Sequence, residues 1–414
     1  MKLLLLYLTA ILVAPPAGPA LQMLREDPDR AGVNNHVYEF VKEYDTPAPA
    51  GYKPYYLLHY GRHGSRNEFK SKYYEELAHI LQQARDGGFL SDDGEKLLVQ
   101  TRQIIVAHRD SPGHLTRLGE AEHRELARRI YKRYKPVFTK GPRQIYVESS
   151  TVPRTLVSMT NFTGELIRLQ KDLDISIDSD ERVFSYVNNS CSKDMSAKIY
   201  KLTDSLAALM PVDTVQIYRR LFTDPEKGKA LEPDAEKFQR YIFNTALIAK
   251  SCAIEGSPYD FLTEDVIYKW WARIVRRLYL RQCNSVEFGH LRLPRSKPLV
   301  DTVFRHLDEA VTSAPVAANL MFGHDHPLLG LASYLRLEGI GDRLTMDEIT
   351  EKWYDPTNIP FASNMQIILY RNKAGKVLVK FVYNGRERAV HGLTPVSGPY
   401  YSWEDVSTLR NYKE

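Results

Sequence analysis

The 414-residue chain has few cysteines, almost no long apolar runs and little excess charge of either sign. Three cysteines (Cys191, Cys252 and Cys283) are too few for a disulfide framework, and no Cys/His spacing resembles a zinc site. An exported chain could still carry one bridge. Cys252 and Cys283 each follow a predicted helix and form the expected pair; buried free thiols are the alternative. Beyond the N-terminus no stretch is long and apolar enough to span a bilayer. The formal net charge is +5, and the basic residues are dispersed rather than run together. That balance does not call for nucleic acid and is compatible with attraction of a small polyanion. No internal repeat or low-complexity segment is present.

The one apolar run stands at the start. Lys2 is followed by an apolar run over residues 3–13, and Gly18-Pro19-Ala20 offers a small-x-small cleavage site. Residues 1–20 therefore read as a secretory signal peptide, which implies export to a periplasm or the medium. An uncleaved N-terminal anchor is the alternative. No cysteine near the cleavage point suggests a lipid anchor. The remainder is long enough for a large core and suits two domains better than one.

The remainder is organised around residues 55–68, YYLLHYGRHGSRNE. An apolar-aromatic run reads as a buried strand and breaks at Gly61. Arg62 and Arg66 then bracket His63, and a helical pattern begins near Lys72. A strand, a Gly-punctuated turn and a helix is where open α/β sheets place their ligands. A histidine between two fixed positive charges suits an anionic substrate such as a phosphoryl group. His59, inside the strand, reads as a hydrogen-bonded core histidine.

Residues 22–54 form an irregular, proline-punctuated lead-in. Helical spacing follows at Tyr73, Tyr74, Leu77, Ile80, Leu81 and Ala84, with Gly87-Gly88 as the stop. Further helices are expected over residues 97–105 and from His114 to about Tyr134. Residues 143–148 alternate as a strand. Ser150 or Thr151 can cap the next helix, and Pro153 suits its first turn. From residue 173 to 314 helices dominate, at 196–209, 235–250 and 264–282, the last rich in tryptophan and tyrosine that read as packing. Residues 316–323 are a buried strand ending in His324-Asp325-His326. Residues 363–371 and 377–383 form a strand pair across an Asn372–Gly375 turn. The expected fold is α/β: a mostly parallel central sheet flanked by helices (residues 21–172 and 315–414), with an inserted, mainly helical cap (residues 173–314).

Three strand ends carry His63 with Arg62 and Arg66, then Arg154, then His324-Asp325. In a parallel sheet all three can share one crevice. Phosphoryl transfer needs an in-line nucleophile, positive charge around the equatorial oxygens and an acid for the leaving alkoxide. His63 can attack as neutral imidazole, Arg62, Arg66 and Arg154 can clamp the phosphoryl oxygens, His324 adds a donor, and Asp325 can protonate the leaving group. No cofactor or metal is required. The arginines favour neutral His63, and Asp325 must hold a proton when substrate binds, so an acidic to near-neutral optimum is expected.

These residues carry a resemblance. Arg62-His63-Gly64-x-Arg66 with a distant His324-Asp325 resembles the histidine phosphatase superfamily, and more narrowly its histidine acid phosphatases and phytases. Leu115-Thr116-x-x-Gly119-Glu120 and residues 149–155 resemble further segments of that family, and the helical insertion resembles its cap. The C-terminal parts IPFASNMQIILYRN, VLVKFVYNGRE and PYYSWEDV are similar to bacterial relatives of multiple inositol polyphosphate phosphatase. The resemblance covers about residues 51–412. It implies that His63 is transiently phosphorylated, that His324 and the arginines bind phosphate, and that Asp325 protonates the leaving group.

Two departures stand out. Asn67-Glu68 follows Arg66, where phytases of the family usually have a proline at the second of these places. The chain has His324-Asp325-His326 where the inositol polyphosphate phosphatases usually have His-Ala-Glu, which makes His326 a second candidate donor. Lys70, Lys72 and Arg143 could reach further phosphates, although a solvated surface role is the plainer reading. The expected substrate is a small phosphate ester: phytate or another inositol polyphosphate, with simpler monoesters as the first rival. A non-catalytic protein that binds phosphorylated ligands is the second. Oligomeric state is left open.

Overall fold

The computed structural model describes residues 18–42, 44–109 and 111–411. The proposed signal sequence up to residue 17 lies outside them. Residues 18–20 do not: helix α1 (Pro19–Glu26) buries Ala20, Leu21, Met23 and Leu24, and Arg25 pairs with Glu264 at 2.7 Å. Pro19 and Ala20, inside the expected signal peptide, are thus part of this helix.

Among the described residues eight strands form one sheet: β1 (Lys53–Arg62), β2 (Gln144–Ser149), β3 (Asp174–Asp178), β4 (Ala318–Gly323), β5 (Asn364–Arg371), β6 (Val377–Tyr383), β7 (Arg386–Glu387) and β8 (Tyr400–Ser402). Their order is β3-β2-β4-β1-β5-β6-β7, with β8 also paired to β6. The run β3-β2-β4-β1 is parallel, and β5 to β8 add an antiparallel edge. β1 is central and buried from Tyr56 onward, which is why its middle reads as an apolar-aromatic run instead of alternating strictly with polar residues. Its side chains still divide by face. Tyr56, Leu58 and Tyr60 join one core cluster, and Leu57 joins the other. His59 stacks on Phe162 at 5.0 Å; burial foremost, with His123 nearby, lowers its pKa to about 3, so it is neutral.

Helices cover both faces. α2 (Lys72–Asp86), α3 (Asp92–His108), α4 (Arg117–Arg133) and α5 (Pro153–Leu169) lie between β1 and β3 in sequence. α6 (Lys193–Ala208), α7 (Ala235–Ala246), α8 (Glu264–Gln282) and α9 (Lys297–Thr312) precede β4, and α10 (Asp325–Tyr334) follows it. α4 packs on α5, α6 on α8, and α7 on α2. The helix-rich segment starts after Asp178, not at residue 173, because residues 174–178 are a strand of the sheet paired to β2. Trp270, Trp271 and Tyr279 of α8 are buried in packing. No helix among the described residues is long and apolar enough to cross a membrane.

Two local expectations need correction. The helix at residue 153 starts with Pro153 in its first turn, but its N-cap is Val152 and no side chain caps it. Ser150 Oγ instead accepts from Val152 N at 3.3 Å and faces His324 Nε2 at 3.2 Å. The three cysteines are free. Cys283 is buried at the end of α8, while Cys252 lies beside His108 Nε2 at 3.7 Å. Ends of different helices that both looked available for a bridge face different neighbours.

The loop after β1 is held by close backbone contact with the start of α4. A Cβ on Gly64 would lie 2.6 Å from Gly119 O and 2.8 Å from Gly119 Cα, and one on Gly119 would meet the Ser65 backbone. Gly119→Ala is therefore expected to cost about 1–3 kcal/mol of stability, since backbone cannot yield as a flexible side chain can. A lowered Tm, with a matching loss in denaturant midpoint, checks this.

Candidate active site

The parallel strands bring three chain segments to one edge. Arg62 at the end of β1 lies opposite Gly323 of β4, and Ser149 of β2 lies opposite Phe322. His63 N continues the ladder by donating to Gly323 O at 3.1 Å, and Ser150 N donates to Phe322 O at 2.9 Å. The turn that follows has its own support. Glu122, buried, accepts from Ser65 N and Ser65 Oγ, both at 2.7 Å, and from Tyr38 N at 3.1 Å. Gly64 N donates to Ser158 Oγ at 3.1 Å.

His63 is 3% exposed. Its Nδ1 lies 2.9 Å from Gly64 O. A carbonyl only accepts, so Nδ1 carries the proton and Nε2 keeps its lone pair. Burial is the largest influence on the ring, and the positive charges of Arg62, Arg154 and Arg66 act with it to hold the pKa well below the usual histidine value. His63 is therefore a neutral imidazole with a free nitrogen in an electropositive site. The His324 ring stands edge-on to it, with centroids 5.6 Å apart. Burial, then His326 and Arg154, lowers His324 to about 3, so it too is neutral.

Each arginine is fixed differently. Arg62 Nη1 donates to Ile359 O and Pro360 O at 3.2 and 3.0 Å, and its guanidinium lies over Phe361 at 4.8 Å. Arg66 donates to Asn67 O at 2.9 Å and to Asn35 Oδ1 at 3.4 Å, with its guanidinium 3.9 Å from the centre of the Phe69 ring. Arg154 reaches across from α5; its Nη2 lies 3.5 Å from His324 Nδ1, and the same Phe69 ring lies 5.1 Å away. Burial, then Arg66 and Arg62, lowers Arg154 to about 10, which leaves it charged at neutral pH. The buried Nε atoms of Arg62 and Arg154 have no partner among the described residues. Spare donors on two converged guanidiniums suit an anion with several acceptor oxygens.

Asp325 opens α10 and faces the same site. Its Oδ2 accepts from Asn34 Nδ2 at 2.8 Å and lies 3.3 Å from Arg62 Nη2. Its Oδ1 accepts from His326 N at 2.9 Å and faces His326 Nδ1 at 3.0 Å. Burial pushes this carboxyl up, but Arg62, His326 and Asn34 outweigh it and hold the pKa well below the usual carboxylate range. In the absence of substrate Asp325 is ionised. His326 Nε2 points to Asn188 Oδ1 at 3.0 Å and Asn188 O at 3.3 Å.

The structure thus brings together His63, Arg62, Arg66, Arg154, His324, Asp325 and His326. Lys70 and Lys72 are exposed just beyond Arg66. Arg143 is excluded from the site: it precedes β2, at the opposite end of the strand, and pairs with Asp172 at 2.8 Å. Sequence reasoning missed Asn34, Asn35, Phe69 and Phe361. The adjacent asparagines in a lead-in otherwise rich in proline were the one available signal. Asp27, His36 and Glu39 also converge within 4.8 Å of one another. Lys250 at 2.9 Å from Asp27 and Arg30 at 3.0 Å from Glu39 neutralise the two carboxylates.

The family described as the histidine phosphatase superfamily (branch 2) matches residues 61–384, a span that runs from the end of β1 to just past β6. The chain belongs to this family. As a histidine phosphatase it is a phosphoric monoester hydrolase. No curated protein matches the sequence. Among solved structures, the apo multiple inositol polyphosphate phosphatase of Bifidobacterium longum is similar with a TM-score of 0.74 at 16% identity, over 92% of this chain and 97% of its own. The complex of that protein with inositol hexasulfate gives 0.72 at 17%, over the same shares. The phytase of D. castellii gives 0.67 at 14%, over 97% of this chain and 89% of its own. At such identities the likeness establishes the fold, which places this histidine phosphatase among mixed α/β proteins with a sheet parallel at its centre.

Proposed function

We propose that this histidine phosphatase hydrolyses phytate or other inositol polyphosphates through a phosphohistidine at His63. The observation that carries the reading is the neutral His63, with Nδ1 tied to Gly64 O, surrounded by Arg62, Arg66 and Arg154. In the first step Nε2 attacks phosphorus and an N–P bond forms while the bridging P–O bond breaks. The arginines and His324 hold the equatorial oxygens as their charge shifts. Asp325 gives its proton to the departing oxygen, which leaves as an alcohol. Water then attacks phosphorus, with the Asp325 carboxylate taking its proton, and the N–P bond breaks to release phosphate and restore His63.

Asp325 is ionised before substrate binds, so it must gain a proton in the complex. A phosphate dianion beside it competes for Arg62 and raises its pKa by like-charge repulsion. Activity is thereby expected at acidic to near-neutral pH and lost on the alkaline side as Asp325 deprotonates.

The inositol phosphate reading draws on the structural likeness to the B. longum phosphatase, which was solved with inositol hexasulfate, and on the phytase likeness. In this reading the helix-rich stretch after β3 acts as a cap, and α2, which packs on both α3 and α7, links the earlier helices to it. The protein acts outside the cytoplasm, in a periplasm or the medium, after loss of its leader. Phosphate release from inositol hexakisphosphate and from p-nitrophenyl phosphate tests the reading. A higher kcat/KM for the inositol ester supports it. Preference for the small ester would make this a broad acid phosphatase.

A further inference from the structure

Asn34 lies 291 residues from Asp325 in sequence, yet its amide donates to Asp325 Oδ2 at 2.8 Å. The preceding residue, Val33, has φ 51° and ψ −104°, a conformation that β-branched residues rarely adopt. Such strain persists only where surrounding structure imposes it, and it gathers at functional sites. Here the surroundings are specific. Asn35 Oδ1 accepts from Arg66 Nη2 at 3.4 Å, and His36 O accepts from Phe361 N at 2.8 Å, beside the ring over which Arg62 lies. The bend at Val33 therefore turns two consecutive side chains onto the proton donor and one of the phosphate-facing arginines.

We infer that Asn34 is a positioning residue that sets the orientation and acid strength of Asp325. The inference rests on the proposed role of Asp325 as proton donor. Several charged or titratable groups face that carboxyl: Arg62 and Tyr60 from β1, Arg66 from the following turn, Arg154 from α5, and His324 and His326 from its own segment. At Asp325 Oδ2 the two partners are Asn34 and Arg62, and the primary amide of Asn34 has a property the guanidinium lacks. Its NH₂ donates to the carboxylate, and after rotation its oxygen can accept from the carboxylic acid. It can hold Asp325 in place in both protonation states that the reaction visits, whereas Arg62 supports only the ionised one. Loss of the donor removes a hydrogen bond that favours the charged form, so Asp325 keeps its proton to higher pH.

The test uses the full chain with Asn34→Leu and Asn34→Asp, and follows kcat against pH for glycerol 2-phosphate and for p-nitrophenyl phosphate. With the alkyl ester, whose leaving group needs a proton, the alkaline limb should move up by about one pH unit in Asn34→Leu. It should move further in Asn34→Asp, where a second carboxylate faces Asp325. With the nitrophenyl ester, a good leaving group, kcat should change far less. Unmoved alkaline limbs in both variants, or equal losses on both esters, would overturn the inference and leave Asn34 a packing residue. Rapid-quench labelling of His63 by radiolabelled nitrophenyl phosphate separates the two levels. Labelling that persists while the limb stays fixed sinks the Asn34 role alone; no labelling even in the unaltered protein sinks the parent reading and this inference with it.

Discussion

His63→Ala should abolish turnover, with kcat reduced about 10⁴-fold or more, while binding of inorganic phosphate changes little. Removal of a covalent nucleophile eliminates the path itself rather than one contribution to it, so losses of this order follow. The anion cradle does not depend on the imidazole. Arg62 is held by Ile359 O and Pro360 O, Arg66 by Asn67 O, and Arg154 comes from a different helix. Competition by phosphate in a binding assay, beside the loss of turnover, checks both halves. The ring is buried, so an unchanged melting curve is needed to assign the loss to chemistry.

Asp325→Asn carries the second large effect. General acid catalysis contributes about 10²–10⁴-fold when the leaving group is a poor one. An alkyl phosphate should lose activity by that amount, and p-nitrophenyl phosphate much less, because nitrophenolate leaves without a proton. The sign with pH is fixed by the same geometry. Arg62, His326 and Asn34 hold the resting carboxyl ionised, so the unaltered protein should lose alkyl-phosphate activity as pH rises and the substrate-bound acid deprotonates. Burial and nearby positive charge keep His63 neutral well into acid, so the nucleophile does not set an acid limb at ordinary pH. In Asp325→Asn the alkaline limb should vanish for the residual activity. A limb that remains in place would move the donor role to another group, His326 being the nearest.

The parts of this site that were legible in the sequence are those that stand close together in the chain. Arg62, His63 and Arg66 share one turn, and His324 and Asp325 share another; each follows a strand recognisable from its apolar run. A parallel arrangement then forces the turns to one edge, and the register of Arg62 with Gly323 bears that out. Contacts made by irregular chain were not legible. Asn34 and Asn35 reach the site only because Val33 takes a left-handed backbone, which no periodicity encodes. Phe361 and Phe69 lie against the arginines through loop geometry, and Ala362, with φ 55°, sets the turn that receives Arg62. Strand β3 was hidden because it is short and mostly exposed at the sheet edge. The cysteine pairing failed for a related reason: helix ends can be found from sequence, but the direction each end faces is settled by tertiary packing.

The most direct measurement is rapid-quench trapping of the intermediate. The unaltered protein is mixed with radiolabelled phosphate ester, quenched in alkali within the first turnover, and digested for peptide mapping. A label on the peptide that holds His63, stable to base and released by acid as an N–P bond requires, is the expected result, with none in His63→Ala. Steady phosphate release with no label on that peptide at any time would contradict a phosphohistidine path and leave the arginine cradle acting on water directly.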